Sequence, residues 1–156
     1  MDRQTLEPLR RLQAPVYFVA ALMIVTPALD FVANVWPLRP GNLEWRYGTI
    51  GLLSGFAMTP LIGMLIVTGT AGLLGHARVL RVGAIVSLVV AVLLALATVL
   101  FVLDVLQFRP TVPLAAVANY DLGSWKAALK HLLVVVALAW LGHAAWRAAR
   151  RSALPR

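Results

Sequence analysis

The sequence predicts an all-α membrane protein: a four-helix transmembrane bundle, both termini cytoplasmic, with kinks in helices one and two. Three observations point there. Apolar residues make up 61% of the 156 residues and charged residues only 13%, whereas a soluble domain is nearer half apolar and a quarter charged. Four apolar runs each exceed the roughly 20 residues that cross hydrocarbon. Breaker residues (Pro37, Pro40 and Gly41, then Gly75, then Pro110 and Pro113) and basic residues mark the ends of those runs. In lipid a segment must satisfy its own backbone polar groups, so runs of this length are helices and not strands.

The chain opens with a polar stretch, MDRQTLEPLRRLQ. The first run follows over residues 14–36. It is too long for a signal peptide and shows no clear small-residue cleavage site, so it is expected to be a retained first span. Pro15 suits a first helical turn, and Trp36-Pro37 marks the far interface. Pro37, Pro40 and Gly41 break the short connector. The second span covers 44–74 and ends at the tight link Gly75-His76-Ala77-Arg78. The third covers 79–108 and is uncharged from Val82 to Leu103. A connector over 109–123 holds Pro110 and Pro113 and room for one helical turn in Leu114 to Val117. Ser124 is a plausible N-cap for the fourth span, 124–149. No linker divides the chain, so residues 1–156 are expected to form one integral membrane domain.

Basic residues set the orientation. One side would carry Arg3, Arg10, Arg11, Arg78, Arg81, Arg147, Arg150, Arg151 and Arg156 against Asp2 and Glu7. The other mixes Arg39, Arg46, Arg109, Lys126 and Lys130 with Asp30, Glu44, Asp104 and Asp121. Basic loops face the cytoplasm, so the first side is inside, in what is expected to be a bacterial inner membrane. The net charge of +8 has the same origin. The basic clusters lack interleaved aromatics, so nucleic acid is not an expected partner. With no cysteine, disulfides, thiolate metal sites, Fe–S clusters and cysteine nucleophiles are excluded.

The stretch from Asn42 to Pro60 holds the densest set of distinctive residues. Asp30 and Asp104 lie within apolar spans, where an ionisable group is costly and faces the bundle interior. With Glu44, Arg46, Arg109, Lys126 and Lys130 they would form an outer polar cluster. Lys126 and Lys130 share one helix face near a helix N-terminus, which calls for a nearby anion. Such a cluster either ties the outer helix ends together or forms a pocket for an ion or small anionic group. Thr26-Pro27 and Thr59-Pro60 should bend helices one and two at similar depth, because each proline removes a helical hydrogen bond and the threonine hydroxyl can serve the freed groups. Bent neighbours can enclose a cavity or serve as a static packing device. Gly48, Gly51, Gly55 and Gly63 mark a close-packing face of GxxxG type, without naming its partner.

His76 and His143 fall near the inner side and are the residues a haem or pigment would use, although an interfacial role explains both. The sequence requires no cofactor and offers no set of metal ligands. Trp36, Trp45, Tyr47, Tyr120 and Trp125 read as an outer aromatic belt, with Trp140 and Trp146 towards the inner one. No HExxH, Walker loop, GxGxxG or nucleophile elbow is present, so no enzymatic activity is expected. The leading expectation is a non-catalytic subunit, with lipids and other membrane subunits as partners, that scaffolds or stabilises a larger, possibly energy-transducing, complex. The alternatives are a small transporter or ligand-binding protein using the outer cluster, and a haem- or quinone-associated redox subunit.

Overall fold

The computed structural model describes Glu7 and residues 10–152. Asp2, Arg3 and Arg156, which enter the charge count, lie outside the described residues. The described residues contain helices and no strand. In chain order these are α1 (Gln13–Val35), α2 (Leu43–Phe56), α3 (Met58–Leu74), α4 (Ala77–Phe108), a 3-10 turn (Arg109–Thr111) and α5 (Leu114–Ser152). By length and composition α1, α4 and α5 can each cross a membrane, and α2 with α3 makes a fourth candidate span. The chain is that of a multi-pass membrane protein.

α2 and α3 meet at Ala57 with a bend of 43°. The cause lies three residues on. Pro60 has no N–H to give the Phe56 carbonyl and its ring crowds that group, so the first helix ends at Phe56 and Pro60 sits in the first turn of the next. The interruption is brief. Ala57 N–H still reaches the Leu53 carbonyl at 3.0 Å, and Leu61 N–H the Ala57 carbonyl at 3.2 Å. α1, by contrast, runs as one helix through Pro27.

The link between α3 and α4 is as tight as expected. Gly75 adopts the left-handed conformation (φ 72°) that ends a helix, and the His76 amide bonds back to the Ala71 carbonyl at 2.9 Å. The link between α4 and α5 corrects the sequence reading. The expected connector over 109–123 shrinks to the 3-10 turn and Val112-Pro113, and α5 begins at Leu114. Pro113 closes the first turn, with the Ala116 amide on its carbonyl at 2.8 Å. Ala115, Ala116 and Ala118 then favour helix, and the single Gly123 does not stop it. Ser124 is therefore no N-cap. It is buried in mid-helix.

α4 and α5 form the most extensive contact, and α1 packs chiefly on α3. The α4–α5 seam explains itself from spacing. α4 buries Leu80, Ala84, Ser87, Ala91, Leu94, Phe101 and Asp104. α5 buries Ser124, Ala127, His131, Val134, Leu138, Gly142, Ala145 and Ala149. Steps of three and four average close to 3.5 residues, which keeps one stripe of each helix on its neighbour. Most seam residues near Gly75 are small, and small residues let helices approach where lipid gives no hydrophobic drive to associate. At about 1.5 Å per residue α4 is about 48 Å long and α5 about 58 Å. Both are longer than a hydrocarbon layer of about 30 Å is thick.

Candidate functional site

The polar site lies at the end of the seam where α2 begins. Asn42 starts α2: its side chain accepts the Trp45 amide at 2.8 Å, a helix cap of the ordinary kind. Trp45 is fixed in turn by its indole N–H on the Val35 carbonyl at 3.0 Å. This places Arg46 one turn into α2, facing α4. Arg46 Nε donates to Asp104 Oδ2 at 3.1 Å and its Nη2 to Asp104 Oδ1 at 2.7 Å. Its remaining Nη1 reaches the Pro40 carbonyl at 3.2 Å. Asp104 is 2% exposed, so this paired, two-point geometry offsets the cost of its charge.

An aromatic column stands beside the ion pair. The Tyr47 ring stacks on Phe101, Phe108 and Tyr120, with centroids 5.3–5.5 Å away. Its hydroxyl lies 3.1 Å from Ser124 Oγ, and the Tyr120 hydroxyl donates to the Val105 carbonyl at 2.9 Å. Tyr47 and Tyr120 therefore join α2, α4 and α5, where the sequence suggested a membrane-surface belt. Gly51 faces Phe101, and a Cβ there would make only ordinary contact with the ring, at 3.6 Å.

Beyond Phe101 lies His131, fully buried and edge-on to that ring at 5.9 Å. Neither ring nitrogen has a hydrogen-bond partner among the described residues; the Ile50 backbone approaches but falls short of bonding geometry. Nothing local in the sequence marks His131. The signal that finds it is the seam spacing, since it falls between Ala127 and Val134.

The structure divides the expected outer cluster. Arg46 and Asp104 form one pair, and Arg109 and Asp121 form a second, exposed one, with N–O contacts of 2.9 and 2.8 Å. Asp30, Glu44, Lys126 and Lys130 form no ion pair among the described residues. Asp30 corrects the expectation of an inward acid: it is exposed. The face of α1 turned to its neighbours runs through Ala20, Ile24, Pro27, Phe31 and Val35, and residue 30 lies about 100° round the helix from Phe31.

Of the expected packing face, one member packs closely within the chain. Gly63 makes the close contact: a Cβ there would lie 2.8 Å from the Ala20 carbonyl oxygen and from Ile24 Cγ1. At Gly48 and Gly55 a Cβ would meet nothing within 4 Å. The other close contacts are Gly83 against Thr68 and Gly142 against Leu88, each with an approach of 2.8 Å. Neither was legible as part of a GxxxG run.

His76 Nδ1 lies 3.0 Å from the Tyr17 hydroxyl, and His143 is exposed. They do not stand at one level. His143 adjoins Gly142, which packs on Ala84, two helical turns or about 12 Å along α4 from His76. Among the described residues no group of three His, Asp or Glu side chains could hold a metal ion.

Between α1, the bent α2–α3 span and the α4–α5 seam lies an apolar cavity of about 490 Å³. Pro27 and Pro60 both line it. No family model, curated protein or solved structure matches this chain.

Proposed function

We propose that this protein is a non-catalytic integral membrane subunit that stabilises a larger assembly through helix–helix packing. On this reading four spans form a bundle in a bacterial inner membrane, with α1 bent at Pro27 as the second span is at Ala57. Both termini face the cytoplasm, because Arg10, Arg11, Arg78, Arg81, Arg147, Arg150 and Arg151 lie at the chain-terminal and α3–α4 link end. The ion pair and aromatic column serve to lock α2 onto α4 and α5.

One observation carries the reading. The bent span turns Gly63, Thr68 and Ala71 towards its own chain, yet on other faces it carries Gly48, Gly55, Gly69 and Gly72. A Cβ at any of these four would meet nothing within 4 Å. Glycine is a poor helix former, and in lipid its use is to admit another backbone. Four such positions with no neighbour in the chain fit a helix supplied by another subunit.

Sedimentation of mild-detergent extracts of native membranes tests this. The wild type should travel in an assembly larger than itself. The double variant Gly55→Leu, Gly69→Leu should be released as a monomer with an unchanged melting midpoint. A monomeric wild type, or a variant that stays in the assembly, overturns the proposal. An assembly containing only this chain replaces the foreign subunit with further copies.

A further inference from the structure

Arginines at the two ends of the α4–α5 seam differ in their partners. Towards the Asp104 end, Arg46 and Arg109 each hold a carboxylate. Towards the His76 end, Arg78, Arg81 and Arg150 are exposed and form no ion pair among the described residues. Arg78 and Arg81 stand about one turn apart on α4, where like charges repel. Glu7, the one acid among the described residues at this end, lies 3.8 Å from Arg11.

Packing brings these three arginines to one rim. Gly142 of α5 packs on Leu88 and on the Ala84 carbonyl of α4, and the two helices run antiparallel. Arg81 is about two turns from Leu88 and so shares its face of α4, while Trp146 is about one turn from Gly142 on α5. From the Ala84–Gly142 contact, Arg81 lies about 4.5 Å towards the His76 end and Trp146 about 6 Å. The two therefore flank the seam at nearly the same depth, and Arg78 and Arg150 follow one turn further on. The Arg150 guanidinium carbon stands 5.6 Å from the centre of the Trp146 ring, a cation–π distance that draws its charge back towards the level of Arg81.

We infer that this rim binds one anionic phospholipid, its phosphate held between Arg81 and Arg150 and its acyl chains laid along Leu88 and Val136. A guanidinium bonds phosphate oxygens at two points. Depth selects a lipid. The uncharged stretch of α4 begins at Val82, so Arg81 stands where hydrocarbon gives way to headgroups, the level that a tryptophan favours. Leu88, and Val136 about four turns from Arg150, are 39% and 59% exposed and continue the path towards the bilayer centre. Charge selects an anionic headgroup. A choline or ethanolamine would bring its own cation among three arginines, with no carboxylate on the rim among the described residues, whereas basic sites between spans take anionic headgroups. This inference is independent of the assembly reading, which concerns the glycines of the bent span.

The test uses the full chain in dodecyl maltoside micelles, with bound lipids counted by native mass spectrometry. One molecule of dioleoyl-phosphatidylglycerol per chain should bind at least about tenfold more tightly than dioleoyl-phosphatidylcholine. The double variant Arg81→Gln, Arg150→Gln should weaken its binding about thirtyfold. A charge-matched control, Arg147→Gln with Arg151→Gln, removes two arginines that lie about 100° further round α5, away from α4. It should bind as the wild type does. All four side chains are exposed and without an ion pair among the described residues, so neither variant should change the melting midpoint. Equal affinity for the two lipids overturns the inference. Equal losses in the two variants also overturn it, since basic residues would then attract anions without a site. Displacement of the lipid by millimolar glycerol phosphate would do the same, because the rim would be taking a phosphate from water and not a lipid.

Discussion

The two ends of the α4–α5 seam are held by different physics. At the Asp104 end the helices are joined by large and polar groups: a two-point ion pair, a four-ring aromatic column and a tyrosine–serine hydrogen bond. At the end nearer His76 the contact is built from Ala71, Leu80, Ala84, Ala145 and Ala149, with Gly142 pressed onto Leu88. The first end depends on chemical partners and the second on the absence of atoms. They should therefore fail in opposite ways: by deletion at the Asp104 end, and by addition at the other.

Removing Asp104 is expected to have the largest effect. Asp104→Ala removes the buried acceptor of two charge-assisted hydrogen bonds from the partly exposed Arg46, and we expect the melting midpoint in detergent to fall by about 8 °C. A fall of one or two degrees would show that the pair is dispensable, and would remove the distinction between the two ends. Next is Gly142→Ala, where one added methyl meets Leu88 Cγ at 2.8 Å and the Ala84 carbonyl oxygen at 3.1 Å. A loss of about 2 kcal/mol is expected from this overpacking. The same change at Gly72, which has open space, should be neutral or stabilise by up to about 1 kcal/mol. Chemical denaturation in mixed micelles measures both, and equal losses would show that glycine content alone matters.

Tyr47→Phe keeps the stacked ring and deletes the hydroxyl beside Ser124, so a loss of about 1 kcal/mol is expected. A larger loss would assign the hydroxyl a role in ordering the column. Asp121→Asn should do least. Its partner Arg109 is half exposed and solvent screens the pair, so no measurable change in midpoint is expected, in contrast to Asp104→Ala at the same end.

Much of this was legible in the sequence, and the misses share a cause. The three to four candidate spans and the Gly75 stop follow from apolar length and one glycine. Asp104 and Arg46 were flagged because charge in an apolar run demands a partner. The same rule placed Asp30 inward, but the rule gives depth and not azimuth, and Asp30 lies one residue off the packed face of α1. Gly48 and Gly55 drew attention as a motif, while Gly83 and Gly142, each isolated in sequence, make the closer contacts. What makes a glycine matter is the residue opposite it, and that pairing exists only once helices are in register. His131 and Ser87 were passed over for a related reason. Nothing local distinguishes them, but each occupies a seam position where every neighbour in the three-four pattern is apolar or small.

α1 packs chiefly on α3 and much less on α2, and this has a consequence for synthesis. α1 is made before its main partner, a segment that begins at Met58. At about 5–20 residues per second, the newborn α1 waits for seconds in the bilayer before its docking surface leaves the ribosome. During that interval it must persist without α3, and its exposed Asp30, later without an ion-pair partner among the described residues, can help by holding one end at the water's edge.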